Sequence, residues 1–265
     1  MRTALLITTY ERPDALAAVL ASVARQRVAP AEIVVADDGS GESTRGLVAR
    51  FSAESKVPVR FVSQPHEGFR LTRLRNLAIA ATSMDYLVFV DGDMVLHPEF
   101  IADHARLARP GHFTQGVRVR ADAARTRALI ANHATPLRFT SRGLGGLRRF
   151  YLLRSRSGAA LARRAANAFV AIKGCNQAFW RADLVRVNGF NEGIQGWGPE
   201  DKELCARLGN AGVRRQTLLF GGIAVHLEHA PAAREQLPAN LAVFADTLRR
   251  RKTRCETGLD AHLAP

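Results

Sequence analysis

Short, continuous apolar runs alternate with segments of helical periodicity through the first 120 residues. Residues 4–8 (ALLIT) read as a strand. Residues 13–25 read as a helix, with Pro13 in its first turn and Leu16, Val19, Leu20 and Val23 spaced three and four apart. Strands at 32–36, 57–62 and 86–90 alternate with helices at 43–51 and 71–81, the latter with Leu71, Leu74, Leu77 and Ala78 on one face. A helix at 98–107 and a strand at 113–119 continue the pattern. Such spacing predicts βαβ units and a mostly parallel sheet, whose buried strands should read as near-continuous apolar runs, as 4–8, 33–36 and 86–90 do. From 121 to 168 the periodicity degrades into an arginine-rich excursion, partly helical, that includes Arg138, Arg142, Arg148, Arg149, Arg154, Arg156, Arg163 and Arg164. Regular structure resumes at Phe169, and a helix from Pro199 to about Leu208 stops at Gly209 and Gly212. A strand at 213–220 and, after Pro231, one helix at 237–250 complete the chain, which contains no internal repeat.

In open α/β sheets ligands bind beyond the carboxyl ends of the strands. Three polar clusters occupy such ends here: Thr8-Thr9-Tyr10-Glu11, Asp37-Asp38-Gly39-Ser40 and Asp91-Gly92-Asp93. The architecture brings them to one rim.

Composition changes this picture little. The chain has 265 residues, 47% hydrophobic and 23% charged, enough for one or two tightly joined domains with a sizeable core. Its net charge of +14 is nearly all arginine, a side chain that grips phosphate and carboxylate bidentately; an anionic partner and mere compositional bias explain it equally well. Cys175, Cys205 and Cys255 are odd in number and unpaired by spacing, which points to a reducing, cytoplasmic compartment. No secretory leader and no run of ~20 apolar residues is present, so any membrane association is expected to be peripheral, on the inner face.

Two carboxylates one residue apart on a glycine turn, Asp91 and Asp93, can face one hard divalent cation that clamps a diphosphate, or can be a solvated turn. Asp38 can accept from a nucleobase or ribose, while Ser40 or Ser43 can cap the next helix. The basic helix start Gly68–Asn76 opposes the macrodipole, as a chain does when an anion docks there; a solvated arginine face is the alternative. Gly196-Trp197-Gly198-Pro199-Glu200-Asp201 can set an indole at a cleft edge and two acids in the first turn of a helix, whose dipole favours their charged form; a buried Trp beside two N-terminal acids is the bland reading. His226-Leu227-Glu228-His229 offers imidazole for an Mn²⁺-like ion, though a lone histidine is more often structural.

Taken in order, these motifs resemble the GT-A-fold, family 2-like inverting glycosyltransferases. TTYERPDALAAVLASV…EIVVADDGS is similar to their nucleotide-binding start, and HEGFRLTRLRNLAI…YLVFVDGDMVLHPEFI to their donor helix and metal motif. GCNQAFWRADLVRVNGFNEGIQGWGPEDKELCARLGNAG resembles the W-G-x-E-D region of bacterial glycan polymerases and β-1,4-galactosyltransferases. The resemblance implies an α/β GT-A fold with a Rossmann-like nucleotide-binding sheet flanked by helices and a smaller C-terminal acceptor-side region. It divides the chain into a donor half (1–120), an acceptor-binding and catalytic half (121–230) and a helical tail (231–265).

It also implies roles: Thr9, Tyr10, Glu11 and Asp38 around base and ribose, Arg70 toward the diphosphate, and Asp91 near ribose or metal. Asp93 and His226 would be ligands to Mn²⁺ or Mg²⁺, with His229 in reserve. Trp197 between Gly196 and Gly198 would pack on sugars, Asp201 would be the general base, and Glu200 would hold a hydroxyl. The implied donor is a nucleotide-sugar, a UDP-sugar foremost. The implied acceptor is a glycan or glycolipid, an anionic one included, of a bacterial cell-surface polysaccharide or lipopolysaccharide. Segment 121–168 departs from any family motif.

Two rivals share parts of this pattern. A sugar-nucleotide nucleotidyltransferase would carry a glycine-rich phosphate loop after the first strand, which is absent. A basic nucleic-acid-binding protein would explain +14, but no helix-turn-helix, zinc or RNA-recognition signature is present, so no nucleic-acid partner is expected.

Overall fold

A computed structural model of the chain describes residues 1–168, 170–230 and 233–263. The expected restart at Phe169 and the first residues of the tail, Pro231 and Ala232, lie outside these. The order of elements is β1 (Thr3–Thr9), α1 (Pro13–Ala24), β2 (Glu32–Asp37), α2 (Glu42–Glu54), β3 (Val59–Ser63), α3 (Leu71–Ala80), β4 (Tyr86–Asp91), β5 (Met94–Leu96), α4 (Phe100–Leu107), β6 (His112–Gln115) and β7 (Val119–Arg120). Then come α5 (Ala123–Ala131), α6 (Arg156–Ala165), β8 (Asn176–Trp180), α7 (Arg181–Arg186), α8 (Glu200–Asn210), β9 (Arg214–Thr217), β10 (Ala224–His226) and α9 (Leu237–Arg249). Short 3₁₀ turns at Gly146–Leu152, Ala166–Ala168 and Leu259–His262 complete the described chain.

The strands form a seven-stranded sheet in the order β3-β2-β1-β4-β8-β6-β9 and a three-stranded sheet in the order β5-β10-β7. β3, β2, β1 and β4 are mutually parallel, and β8 enters antiparallel to β4. Alternation along each strand divides the core into two layers. Leu6, Val34 and Phe89 face α3 and α8, packing with Leu74, Ala78, Leu204 and Leu208. Leu5, Ile7, Val35, Val88 and Val90 face α1, packing with Leu16, Val19, Leu20 and Val23. This is the predicted α/β, GT-A-type arrangement, a parallel-rich sheet between helical layers.

Two expectations need correction. The single strand at 113–119 is two, in different sheets. Asn176 breaks it: its side-chain amide donates to the Val117 carbonyl at 2.8 Å, and a Cβ on Gly116 would lie 2.2 Å from its Oδ1. The strand at 213–220 stops at Thr217, because Phe220 and Gly222 take positive φ (60° and 56°) to turn the chain into β10. Residues 121–168 are partly helical, as expected: they hold α5 and α6, capped by Asp122 and Ser155, whose side chains accept from the backbone NH groups of Arg125 and Gly158.

Candidate active site

Strand register places the polar clusters side by side. Thr8 pairs with Asp91 and Thr9 with Asp37, so the carboxyl ends of β1, β2 and β4 form one rim. The turn after β4 runs hard against β1: Gly92 NH donates to the Thr8 carbonyl at 2.7 Å, and a Cβ there would come within 3.0 Å of it. Only glycine fits, and the close approach fixes Asp91 and Asp93 on either side of it. At the β2 end, Asp38 accepts from the Gln64 amide at 2.5 Å and sits 3.2 Å from His66 Nδ1. Tyr10, largely exposed, stacks on His66 with centroids 4.2 Å apart and planes 12° apart. Glu11, in a left-handed conformation (φ 47°), accepts from Gly41 NH at 2.9 Å and so ties the first loop to the second.

Asp93 leads into β5, which pairs antiparallel with β10 so that His226 lies opposite Met94. The Leu227 NH bonds the Asp93 carbonyl at 2.9 Å. Asp93 Oδ2 is thereby 3.6 Å from His226 Nε2 and 3.3 Å from His229 Nε2, with one potential ligand atom from each residue within 4.8 Å of the others. Burial, reinforced by Asp91, raises Asp93 to about 7, while burial and the guanidinium of Arg118 lower His226 to about 3. The pair therefore does not exist as an ion pair near neutrality. Asp93 Oδ1 is buried without a hydrogen-bond partner. A carboxylate and two imidazoles, one kept neutral and one carboxylate oxygen unspent, suit a divalent ion that accepts nitrogen ligands.

A second line of charge leads away from this triad. Arg75, only 2% exposed and lying over the Phe190 ring, reaches Asp91 Oδ1 at 3.2 Å and Glu200 Oε1 at 3.4 Å. Glu200 and Asp201 open α8. The dipole at this helix start is worth up to ~1 kcal/mol, below one pKa unit, and it loses to burial. Burial raises Glu200 to about 7, with Arg75 opposing and Asp201 adding to the rise; Asp201 is also raised by burial. The expectation that the dipole keeps both acids charged is thus corrected: α8 delivers acids that hold their protons more tightly than usual.

The loop before α8 is fastened by α9. Asn240 donates to the carbonyls of Gln195 and Trp197, at 2.6 and 3.2 Å. Gly198 lies where a Cβ would be 2.7 Å from the Asn240 amide, and Gly196 has φ +70° with its NH on the Phe69 carbonyl. Trp197 is left partly exposed with the Arg234 guanidinium 4.6 Å from its ring centre. Arg70 sits at the N-terminal boundary of α3 without capping it and turns its side chain to its own loop, bonding Glu67 and the Pro65 carbonyl.

Thr9, Tyr10, Glu11, Asp38 and Asp91 therefore share the strand-end rim, Asp93 joins His226 and His229, and Arg75 links Asp91 to Glu200. Sequence reasoning did not single out Arg75, Gln64, His66 or Arg118. For Arg75 a signal existed: it falls three and four residues from Ala78 and Leu71, a charge set into an apolar stripe. Arg118 has a buried Nε and Arg12 a buried Nη1 without partners, and both lower the Asp93 carboxyl.

The family model described as Glycosyl transferase family 2 matches residues 4–169, more than half of the chain. The chain belongs to glycosyl transferase family 2. A second model, described as N-terminal domain of galactosyltransferase, matches residues 162–230. Validoxylamine A glucosyltransferase of Streptomyces hygroscopicus subsp. limoneus is 30% identical over 219 residues, 78% of this chain and 48% of that protein. Escherichia coli chondroitin synthase is 34% identical over 104 residues, 39% of this chain and 15% of that protein. The chain thus spans about half the length of the first of these family 2 relatives and far less of the second. S. aureus TarS, solved in complex with UDP-GlcNAc, superposes with a TM-score of 0.62 at 14% identity, over 99% of this chain and 69% of that one. The likeness shows the GT-A fold, and family membership favours a transferase over either rival reading.

Proposed function

We propose that this family 2 chain is an inverting glycosyltransferase that moves a sugar from a UDP-sugar onto a hydroxyl of a glycan or glycolipid in bacterial surface polysaccharide or lipopolysaccharide synthesis. The observation that carries this is the convergence of Asp93, His226 and His229 beside the Asp91–Arg75–Glu200 line at the sheet rim. UDP-GlcNAc in TarS and the polymer synthase among the relatives support the donor and the acceptor class. Residues 1–120 form the donor half, 121–230 the acceptor and catalytic half, and 231–265 the tail that fastens the Trp197 loop.

In this reading Thr9, Tyr10, Glu11 and Asp38 receive base and ribose, with His66 and Gln64 orienting the Asp38 carboxylate. Asp93, His226 and His229 would hold Mn²⁺ rather than Mg²⁺, since two nitrogen ligands suit the former and all-oxygen shells the latter. When bound, the ion would supply positive charge against the charge that develops on the departing diphosphate. Arg12 and Arg118, two cations beside a cation site, are tolerable because the diphosphate lies among them; Arg70 guards the nucleotide side. Trp197, given reach by Gly196 and Gly198, offers its face to the sugars, and Glu200 holds a hydroxyl. Asp201 takes the proton of the acceptor hydroxyl, whose oxygen attacks the anomeric carbon opposite the diphosphate. The bond to the diphosphate breaks, the configuration inverts and nucleoside diphosphate leaves.

Thermal unfolding with a panel of UDP-, GDP- and TDP-sugars, with and without Mn²⁺, tests the reading. A UDP-sugar with Mn²⁺ is expected to stabilise the protein by about 2.7 kcal/mol at a hundredfold excess over Kd. Asp93→Ala should weaken this metal-dependent binding at least about tenfold; undiminished stabilisation would remove Asp93 from the ligand set.

Mn²⁺ affinity should also follow pH. Asp93 must lose its proton to bind, and its raised value near 7 means that binding releases at least one proton per ion well below that pH. His226 is neutral throughout that range. The Kd for Mn²⁺ should therefore fall at least about tenfold per pH unit below about 7 and fall less steeply above it. Calorimetry in two buffers of different ionisation enthalpy measures the released proton directly.

A further inference from the structure

The excess charge of the chain is not spread over it. Between Asp122 and Asp183 lie 60 residues with eleven arginines, one lysine and no acid, while the other 205 residues carry 26 basic and 24 acidic side chains. Nearly all of the +14 therefore resides in one segment, which compositional bias does not explain. Arg154 within it is committed to Glu99 and Asp103. No carboxylate lies within ion-pair range of Arg138, Arg142, Arg156, Arg163 or Arg164 among the described residues.

Apolar side chains are exposed in the same stretch: Phe150 at 44%, Leu153 at 42% and Leu161 at 87%. Helix α6 is turned the unusual way for a surface helix. Its inward face is built of small residues, with Ala159 buried and Ala162 packed near Val117, Val170 and Leu219, and Ala166 buried just beyond its end. Its one large apolar residue, Leu161, goes outward beside Ala160, Arg164 and Ala165. An outward leucine with Arg164 one turn away, on a helix that also carries Arg156 and Arg163, fits a surface that is anionic and has an apolar interior. Polysaccharide and nucleic acid meet the first condition only.

We infer that the surface formed by the end of the 3₁₀ turn at Phe150–Leu153 and by the outward side of α6 is the docking surface of this chain on an anionic lipid bilayer, with the arginines at the headgroups and Leu161, Phe150 and Leu153 in the acyl boundary. Both ends of the basic segment are anchored at the candidate active site. It leaves β7, where Arg120 pairs with His226, and returns at Gly174, against which the Arg75 guanidinium packs. Docking would thus hold the site close to the membrane, which extends the reading above that the acceptor is a glycan or glycolipid made at that surface.

The test is sedimentation of the full chain with vesicles of equal parts phosphatidylcholine and phosphatidylglycerol, against phosphatidylcholine alone. Binding should require the anionic lipid and fall with salt. Replacing three arginines (Arg156→Gln, Arg163→Gln, Arg164→Gln) should weaken it on the order of a hundredfold, at about fivefold per side chain. Leu161→Ser should weaken it at every salt concentration. Equal vesicle binding by Leu161→Ser and wild type, or retention on heparin with no vesicle binding, overturns the proposal in favour of charge-only adsorption. Unchanged melting shows that the variants fold. Mn²⁺-dependent UDP stabilisation, read in the same variants, reports on the transferase site separately, so either reading can fail alone.

Discussion

Asp201→Asn is expected to lower sugar transfer by ~10²–10⁴-fold, the range for loss of a positioned general base, while Mn²⁺-dependent binding of UDP stays as in the wild type. The substitution keeps the shape of the side chain at the start of α8 and its carbonyl oxygen, which can still accept from the Lys202 NH, a 2.7 Å bond in the native chain. What it removes is the capacity to take a proton. Burial raises the native carboxyl, so its proton affinity is closer to that of a base working near neutrality than a solvated aspartate would be. Single-turnover assays, which separate chemistry from binding, are the measurement. Normal turnover would hand the role of base to Glu200, whose carboxyl is raised to about 7 next to it.

Arg75→Met should cost stability on the order of 3 kcal/mol, seen as a lower denaturation midpoint, because the guanidinium is the counter-charge shared by Asp91 and Glu200. Methionine fills the volume but strands two acids at the rim, and Glu200, whose nearest opposing charge is this arginine, should then ionise at still higher pH. Loss of activity with an unchanged midpoint would show that Arg75 acts on substrate rather than on the acids. Arg75→Lys is the discriminating control: it keeps the charge but cannot span both carboxylates as the forked guanidinium does.

Much was legible in the chain before folding. Five short apolar runs and their intervening 3.6-residue periodicities announced the parallel sheet, and the polar residues at the strand ends announced the rim, because a buried parallel strand must be apolar and must stop where it meets water. The same local logic located Pro13–Ala24, Leu71–Ala80 and Glu200–Asn210 to within a few residues. It misjudged 113–119, since nothing in that run says that Asn176, some sixty residues later, will occupy the space beside Gly116 and split the strand. It also could not place the helices within 121–168, since alanine- and arginine-rich helices such as α6 lack the large apolar stripe that periodicity detects.

What the sequence by itself determined is therefore the sheet, its polar rim and the kinds of side chain available there, all set by local propensity and by the burial each segment needs. Only the tertiary structure decided which of them meet. That Asp93 faces both His226 and His229 follows from the antiparallel pairing of β5 with β10, and that Arg75 joins Asp91 to Glu200 follows from α3 and α8 covering the same face of the sheet. The proton affinities of these acids were likewise out of reach, because the desolvation that raises them exists only once distant segments have closed over them.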